Sequence, residues 1–302
     1  MALQSSPVAP TSPAPLRLGE IVHLGRFHIV AIATLGCLTF GRFLTGRALP
    51  AVALVCALDW FLVNFVNRAV DLAEDRVNGI AGTEVMAAHK RVLVPAAFLL
   101  LVGSLVGLAF WAPALTPFRV AYHLLGLAYN YPLLPGRVRL KALYFWKNTA
   151  SAIGFVITLF AYPVAVAGGL AVPVATAATL ALFFLLFEVS YEVIYDLRDL
   201  EGDRREGIRT YPAVHGERGA VRIIDGLLAA SALVLAVGYA LGALRWGHFV
   251  MILAPALQVA YYKRALRRGL TSADCIRLTL VGAALLGLYN AWIGLGLPGA
   301  SL

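Results

Sequence analysis

Nine runs of predominantly apolar residues, each long enough to cross a bilayer, fix most of what this chain can become. They fall at approximately 28–46, 49–72, 91–111, 113–131, 146–167, 171–197, 219–243, 246–264 and 274–297 of 302 residues. About 20 residues of helix span the roughly 30 Å hydrocarbon core. Inside that core no water satisfies a backbone N–H or C=O, so each crossing segment closes its own hydrogen bonds as a helix. The pattern predicts an all-α fold, a polytopic membrane bundle of nine transmembrane helices. With 60% of residues hydrophobic, 14% charged and a mean hydropathy of +0.80, no stretch is left for a soluble domain. The fourth run is the least regular: it contains Arg119 and His123 and is broken by Pro117.

The net charge of +9 does not indicate nucleic acid, because the basic residues alternate by loop. They gather before run 1 (Arg17, Arg26) and after runs 2, 4, 6 and 8, while the opposite side carries little beyond Arg47 and Arg245. By the positive-inside rule the N-terminus is cytoplasmic and, with nine crossings, the C-terminus is outside. Such a protein is a multi-pass component of a bacterial or archaeal cell membrane. Residues 1–16, rich in Pro, Ser and Ala, are expected to form a disordered tail, and they lack the cationic and apolar regions of a cleavable signal peptide. Residues 17–302 then form a single intramembrane domain. Cys37, Cys56 and Cys275 lie in or beside apolar runs without C-x-x-C spacing and read as small packing residues.

Runs 2 and 6 each end in an acid cluster followed by a charged loop, which suggests two related four-helix halves with the ninth helix outside the repeat. The first cluster is Asn67, Asp71 and Asp75, spaced N-x-x-x-D-x-x-x-D; the second is Asp196, Asp199 and Asp203, spaced D-x-x-D-x-x-x-D. Steps of three and four keep side chains on one helix face, so each cluster presents a column of oxygens. Glu188, Glu192, Tyr191 and Tyr195 extend the second stripe toward the membrane, and Asn64 extends the first. Charge facing lipid is costly, so both stripes should face the bundle interior. Glu74, Glu201 and Glu206 fall outside the columns and read as solvated helix-end acids. Asp59, deep in run 2 on another flank, reads as a hydrogen-bonding partner for a neighbouring helix.

Two facing carboxylate columns repel unless a divalent cation lies between them, and Mg²⁺ suits carboxylates combined with phosphate oxygens. The expected catalytic residues are therefore Asn67, Asp71, Asp75, Asp196, Asp199 and Asp203, with Asp71, Asp75, Asp199 and Asp203 as metal ligands. A diphosphate held there also needs cationic donors. Arg68, Lys141, Lys147 and Arg198 are the substrate-binding candidates, Arg137 is a further basic candidate, and Asn64, Asn148, Tyr191 and Tyr195 are polar or aromatic neighbours.

These residues resemble the UbiA superfamily of intramembrane prenyltransferases over about residues 17–297. The likeness rests on both acid motifs and on Gly207-Ile-Arg209-Thr-Tyr-Pro212 followed by Gly216, similar to the family's G-x-x-T-x-P-x-x-x-G continuation. The resemblance implies nine transmembrane helices and a Mg²⁺-bridged isoprenyl diphosphate whose tail lies in a lipid-open groove. An allylic cation, near aromatic faces such as Tyr129, Tyr131, Phe145, Trp146 or Phe187, would then be attacked by a small acceptor expected to be aromatic. The chain departs from the family pattern in two places: it has no Arg-Pro pair after the first motif and no Y-x-x-x-K at the end of run 4. Three other readings stay open at this point: a terpene cyclase of the same type, transfer of another diphosphate-activated group such as phosphoribosyl, and a transporter. Acids at helix ends rather than at the midplane weigh against the last. The sequence leaves oligomeric state undetermined.

Overall fold

A computed structural model describes residues 24–297, so the expected tail over 1–16 lies outside the described residues. Among the described residues the fold is all-helical, with one isolated bridge between Leu134 and Val138. The helices are α1 (Phe27–Thr45), α2 (Pro50–Val70), α3 (Leu72–Val77), α4 (Thr83–Trp111), α5 (Thr116–Asn130), α6 (Trp146–Ala167), α7 (Val174–Arg205), α8 (Tyr211–Ala240), α9 (Leu253–Leu266) and α10 (Ser272–Gly294). Seven of them, all but α3, α5 and α9, are long and apolar enough to cross a membrane.

The two remaining predicted runs are short for physical reasons. Run 4 becomes the 15-residue α5, started by Pro117 within its first turn after a 3₁₀ turn at Pro113–Leu115. Run 8 is broken into a helical turn at Trp246–Phe249, a 3₁₀ turn at Val250–Ile252 and the 14-residue α9. Run 6 is longer than expected: α7 continues through the second acid cluster to Arg205, and its 32 residues make it about 48 Å long, well beyond the hydrocarbon core. The next helix likewise begins at Tyr211 rather than near 219.

Local chemistry sets the other boundaries. Gly46 adopts a left-handed φ of 67° at the end of α1 and donates its N–H to Arg42 O at 2.9 Å, and Pro50 opens α2. At the start of α10, Thr271 and Asp274 exchange side-chain-to-backbone hydrogen bonds at 3.1 and 3.2 Å. Within α6 the helix widens into a π-turn over Ile157–Ala161, just before Pro163, which has no N–H to give. There Thr158 accepts a hydrogen bond from the Trp60 indole at 2.9 Å.

The apolar core is divided. One cluster joins α1, α2, α6 and α7 around Phe40, Trp60, Phe155 and Phe184. A second joins α7, α8, α9 and α10 around Ile194, Ile224, Tyr262 and Leu278, and a third packs α2 against α4. Between the first two clusters the bundle leaves a cavity.

Candidate active site

Helix α2 stops at Asp71, whose backbone (φ −92°, ψ 25°) leaves helical geometry before α3 restarts at Leu72. The expected column of Asn67, Asp71 and Asp75 is therefore carried by two helices in series. Asn67 Nδ2 donates to Asp71 Oδ2 at 2.7 Å and to Asn130 Oδ1 at 2.8 Å, which ties the motif to α5. Lys141 Nζ and Arg139, from the segment between α5 and α6, lie 2.6 and 3.2 Å from Asp71 Oδ1.

Lys141 also donates to Glu74 at 2.7 Å. Glu74 is buried, not solvated as its spacing suggested, because the break at Asp71 turns α3 and brings Glu74 against that lysine. Asp75 has Arg26 and Arg68 each 3.8 Å away, yet its Oδ2 is buried without a hydrogen-bond partner. Burial lifts its carboxyl above the ordinary carboxylate range, against the pull of the two guanidinium groups. Arg68 is itself buried and donates to Ala81 O at 2.6 Å, so it clamps the loop after α3 and does not line the cavity.

The second motif stays helical. Lys147 Nζ, at the start of α6, lies 2.9 Å from Asp196 Oδ1 and donates to Asp203 at 2.9 and 3.1 Å. Asn148 Nδ2 donates to the other Asp196 oxygen at 2.8 Å. Arg198 grips Asp199 through two N–H groups and lies over the Tyr195 ring, 4.7 Å from its centre. Tyr195 and Tyr191 both bond Thr279 of α10. Among the described residues no three His, Cys, Asp or Glu side chains converge as a ready-made metal cage; basic side chains neutralise the acids instead.

The two motifs meet. Gly202 N–H donates to Asn78 Oδ1 at 3.1 Å, joining α7 to the turn after α3. A Cβ at Gly202 would lie 2.5 Å from Asn78 Nδ2, so only glycine permits this approach. The stretch after the second motif uses its expected residues structurally. Gly207 turns the chain with φ 68°, Thr210 caps α8, Pro212 lies in its first turn, and Gly216 (φ 69°) kinks it.

Beside this junction a cavity of about 440 Å³ runs between α1, α2, α5, α6, α7, α9 and α10; Asn67 of the first motif reaches its wall, while the motif aspartates lie outside it. Asn64, Asn67, Tyr191 and Tyr195 line it, as do Arg26, Tyr129 and Ser151. Leu253, Leu257, Val281 and Leu288 belong to its wall and are also exposed on the bundle's outside, so it opens sideways between α9 and α10. Within the sequence Arg26 and Arg139 are indistinguishable from other loop charges, and Asn78 and Asn130 carry no spacing signal. Their partners are 41 to 124 residues away, beyond the reach of any local spacing.

This arrangement, an all-helical membrane fold with two joined acid motifs beside an apolar cavity, is that of an integral membrane protein. Residues 27–283 match the UbiA prenyltransferase family. The chain belongs to that family, and prenyl transfer is the enzyme class this membership assigns to it. It is 29% identical over 226 residues to a digeranylgeranylglyceryl phosphate synthase of Halobacterium salinarum, covering 72% of this chain and 77% of that one. It is 38% identical over 92 residues to the protein of that name from Natronomonas pharaonis, a match spanning about a third of either chain (30% and 33%). The fold is similar to that of a UbiA homolog from Archaeoglobus fulgidus bound to GPP and Mg²⁺, with a TM-score of 0.68 at 18% identity, covering 90% of this chain and 98% of that one. A UbiA homolog from Aeropyrum pernix K1 is similar at a TM-score of 0.61 and 16% identity, covering 92% and 98%.

Proposed function

We propose that this protein is a Mg²⁺-dependent prenyltransferase that moves an isoprenyl group from a polyprenyl diphosphate to a hydroxyl-bearing lipid acceptor. The observation that carries this reading is the junction of the two acid motifs beside an apolar cavity whose wall carries Asn67 of the first motif and Tyr195, next to Asp196 of the second. The donor set fits the metal: hard carboxylate oxygens, one of them the buried Asp75 Oδ2 left without a donor. Asp71, Asp75, Asp199 and Asp203 would hold it. Bound Mg²⁺ supplies Lewis-acid charge that offsets the diphosphate and eases its departure.

The chain's own residues do the rest. Lys141, Arg139, Lys147 and Arg198, which neutralise the acids in this structure, are placed to donate to phosphate oxygens where negative charge develops. Arg26, on the cavity wall beside Asn67, closes the same end. The prenyl tail would lie along the aromatic and aliphatic walls, which exclude water from the allylic carbon, and Tyr129 and Tyr191 on that wall would favour positive charge there.

The aromatic acceptor expected from the sequence finds no support among the relatives, whose name describes a glyceryl phosphate product, so a hydroxyl acceptor replaces it. Family membership also displaces the transporter reading. We extend the proposal to nine membrane helices in two related halves, with α5 and the broken α9 region as the two short crossings. The acid motifs and the N-terminus then face the cytoplasm.

The test is to incubate purified protein with geranyl diphosphate and Mg²⁺, with and without a lipid alcohol. Prenyl ether formation that stops in excess EDTA, and that falls at least ~100-fold in Asp71→Asn and Asp199→Asn, is expected. Cyclised hydrocarbon formed without acceptor would move the protein to the cyclase reading. Full activity in EDTA would remove the metal.

A further inference from the structure

Several hydrogen-bond acceptors on the cavity wall have no donor. Glu188 and Glu192 both line it, one helical turn apart on α7. Glu188 is only 6% exposed and makes no hydrogen bond or ion pair with a described residue. Glu192 accepts one hydrogen bond on Oε1, from Ser151 Oγ at 2.6 Å, and Oε2 is left over.

Gln258, across the cavity on α9, is 2% exposed. Its Nε2 donates to Ser190 Oγ at 3.0 Å, and Ser190 gives its own proton to Phe187 O at 2.5 Å. The amide orientation follows: Oε1 points away from Ser190 and is buried without a donor. Tyr191 and Tyr195 are both engaged with Thr279, and the hydroxyls of Tyr122 and Tyr129, which also line the cavity, make no hydrogen bond to any of these acceptors. Two carboxylates with unsatisfied oxygens on one apolar wall, and a buried amide oxygen on the same wall, are expensive to keep unless a ligand brings the missing donors.

We infer that Glu188, Glu192 and Gln258 bind the acceptor substrate by its O–H groups, that Glu192 takes the proton from the reacting hydroxyl, and that the acceptor is an uncharged lipid with a polyol end. This rests on the prenyl-transfer reading above. In the reaction the bond between the prenyl C1 and the diphosphate oxygen breaks, and its electron pair leaves with the diphosphate. A lone pair of the acceptor oxygen forms the new C–O bond to C1, and the hydroxyl proton passes to Glu192. The position suits this role: four residues of helix set Glu192 about 6 Å along the axis from Asp196, on the cavity side of the diphosphate end. Glu188, a further turn away and neighbouring Glu192 on the same helix face, takes a second hydroxyl of the same headgroup. A single alcohol leaves that carboxyl unsatisfied, and a phosphate headgroup meets two carboxyls.

The test uses the full-length protein in lipid nanodiscs with Mg²⁺. Geranyl diphosphate binding is measured first by calorimetry; if wild type fails to bind it, the prenyl-transfer reading falls and this inference with it. Acceptors sharing one alkyl chain are then compared: a monoalkylglycerol, the simple alcohol, the monoalkylglycerol phosphate and the alkylamine. We expect the monoalkylglycerol to have a KM at least ~10-fold below the others. Glu192→Gln should lower kcat by ~100-fold or more, the usual scale of a lost general base, with the Kd for geranyl diphosphate within about twofold of wild type. Glu188→Gln and Gln258→Leu should raise the acceptor KM by about tenfold with little change in kcat. Wild type that binds geranyl diphosphate but does not use the alkylglycerol, or that prefers the phosphate or the amine, overturns the inference. So does a Glu192→Gln variant with wild-type kcat. Should a variant fail to fold, the headgroup preference of the wild type alone decides.

Discussion

Arg119 of α5 and Asp59 of α2 form a two-point ion pair in the interior of the bundle, at 2.9 Å through Nε and 2.6 Å through the terminal nitrogen, with both side chains sealed from solvent. The pair is fully furnished. His123 Nε2 lies 3.0 Å from Asp59 Oδ1 and must carry the proton there, and the Tyr162 hydroxyl donates to Oδ2 at 2.8 Å. Arg119 also donates to the backbone oxygen and the Oγ of Ser104 on α4, at 2.9 and 3.1 Å. Four helices are joined around one carboxylate. The least regular apolar run is irregular because its charges are partners for Asp59, not because it leaves the bundle.

Arg119→Ala should therefore destabilise the protein by about 3–5 kcal/mol, the scale for an unpaired buried charge. Asp59→Asn combined with Arg119→Gln should lose less than Arg119→Ala alone, because neither charge is stranded. Thermal unfolding in detergent checks both. A melting temperature for Arg119→Ala within a degree of wild type would show the pair to be dispensable.

Gly202→Ala should separate the two acid motifs at small cost to stability, since the atom it meets is the end of the flexible Asn78 side chain. Activity is expected to fall about tenfold, and Asn78→Ala should do the same. Because both act on one contact, the double variant should be no worse than either single one. Additive losses would mean that the Asn78–Gly202 contact is not what positions the motifs.

Lys147 is enclosed between Asp196 and Asp203, so it is more than a topology anchor. Lys147→Ala should raise the apparent KM for the diphosphate by about tenfold or more and also lower the melting temperature, since it leaves two buried carboxylates facing each other. Lys147→Arg keeps the charge without the compact ammonium and should recover stability better than activity. Unchanged kinetics in Lys147→Ala, with only a stability loss, would confine the lysine to holding the acids and shift diphosphate binding to Lys141 and Arg139.

Reporter fusions provide the topology check. With nine crossings, a tag before residue 24 should be cytoplasmic and a tag after Leu302 external. Both tags on one side would mean that either α5 or the broken α9 region does not cross.

The apolar runs determined an all-helical membrane fold without any tertiary information, because a bilayer leaves the backbone no alternative that runs of this length can adopt. The two acid motifs were legible for a similar reason: steps of three and four residues are a helical address, and carboxylates repeated at that spacing on two apolar helices have few purposes. Gly207, Thr210, Pro212 and Gly216 were legible only as a stretch resembling the family's; that they turn the chain, cap α8, sit in its first turn and kink it is what the structure adds.

What the tertiary structure decided is who neutralises whom. Glu74 looked solvated because its position was judged on an unbroken helix, whereas the chain breaks at Asp71 and Glu74 meets Lys141, 67 residues away. Arg26 and Arg139 looked like loop charges until folding brought them to Asp75 and Asp71. The unsatisfied acceptors at Glu188, Glu192 and Gln258 are likewise invisible in the sequence. A polar side chain in an apolar run shows only that some partner is needed; whether the bundle provides it, as for Asp59, or leaves it to a ligand is settled by packing between helices distant in the chain.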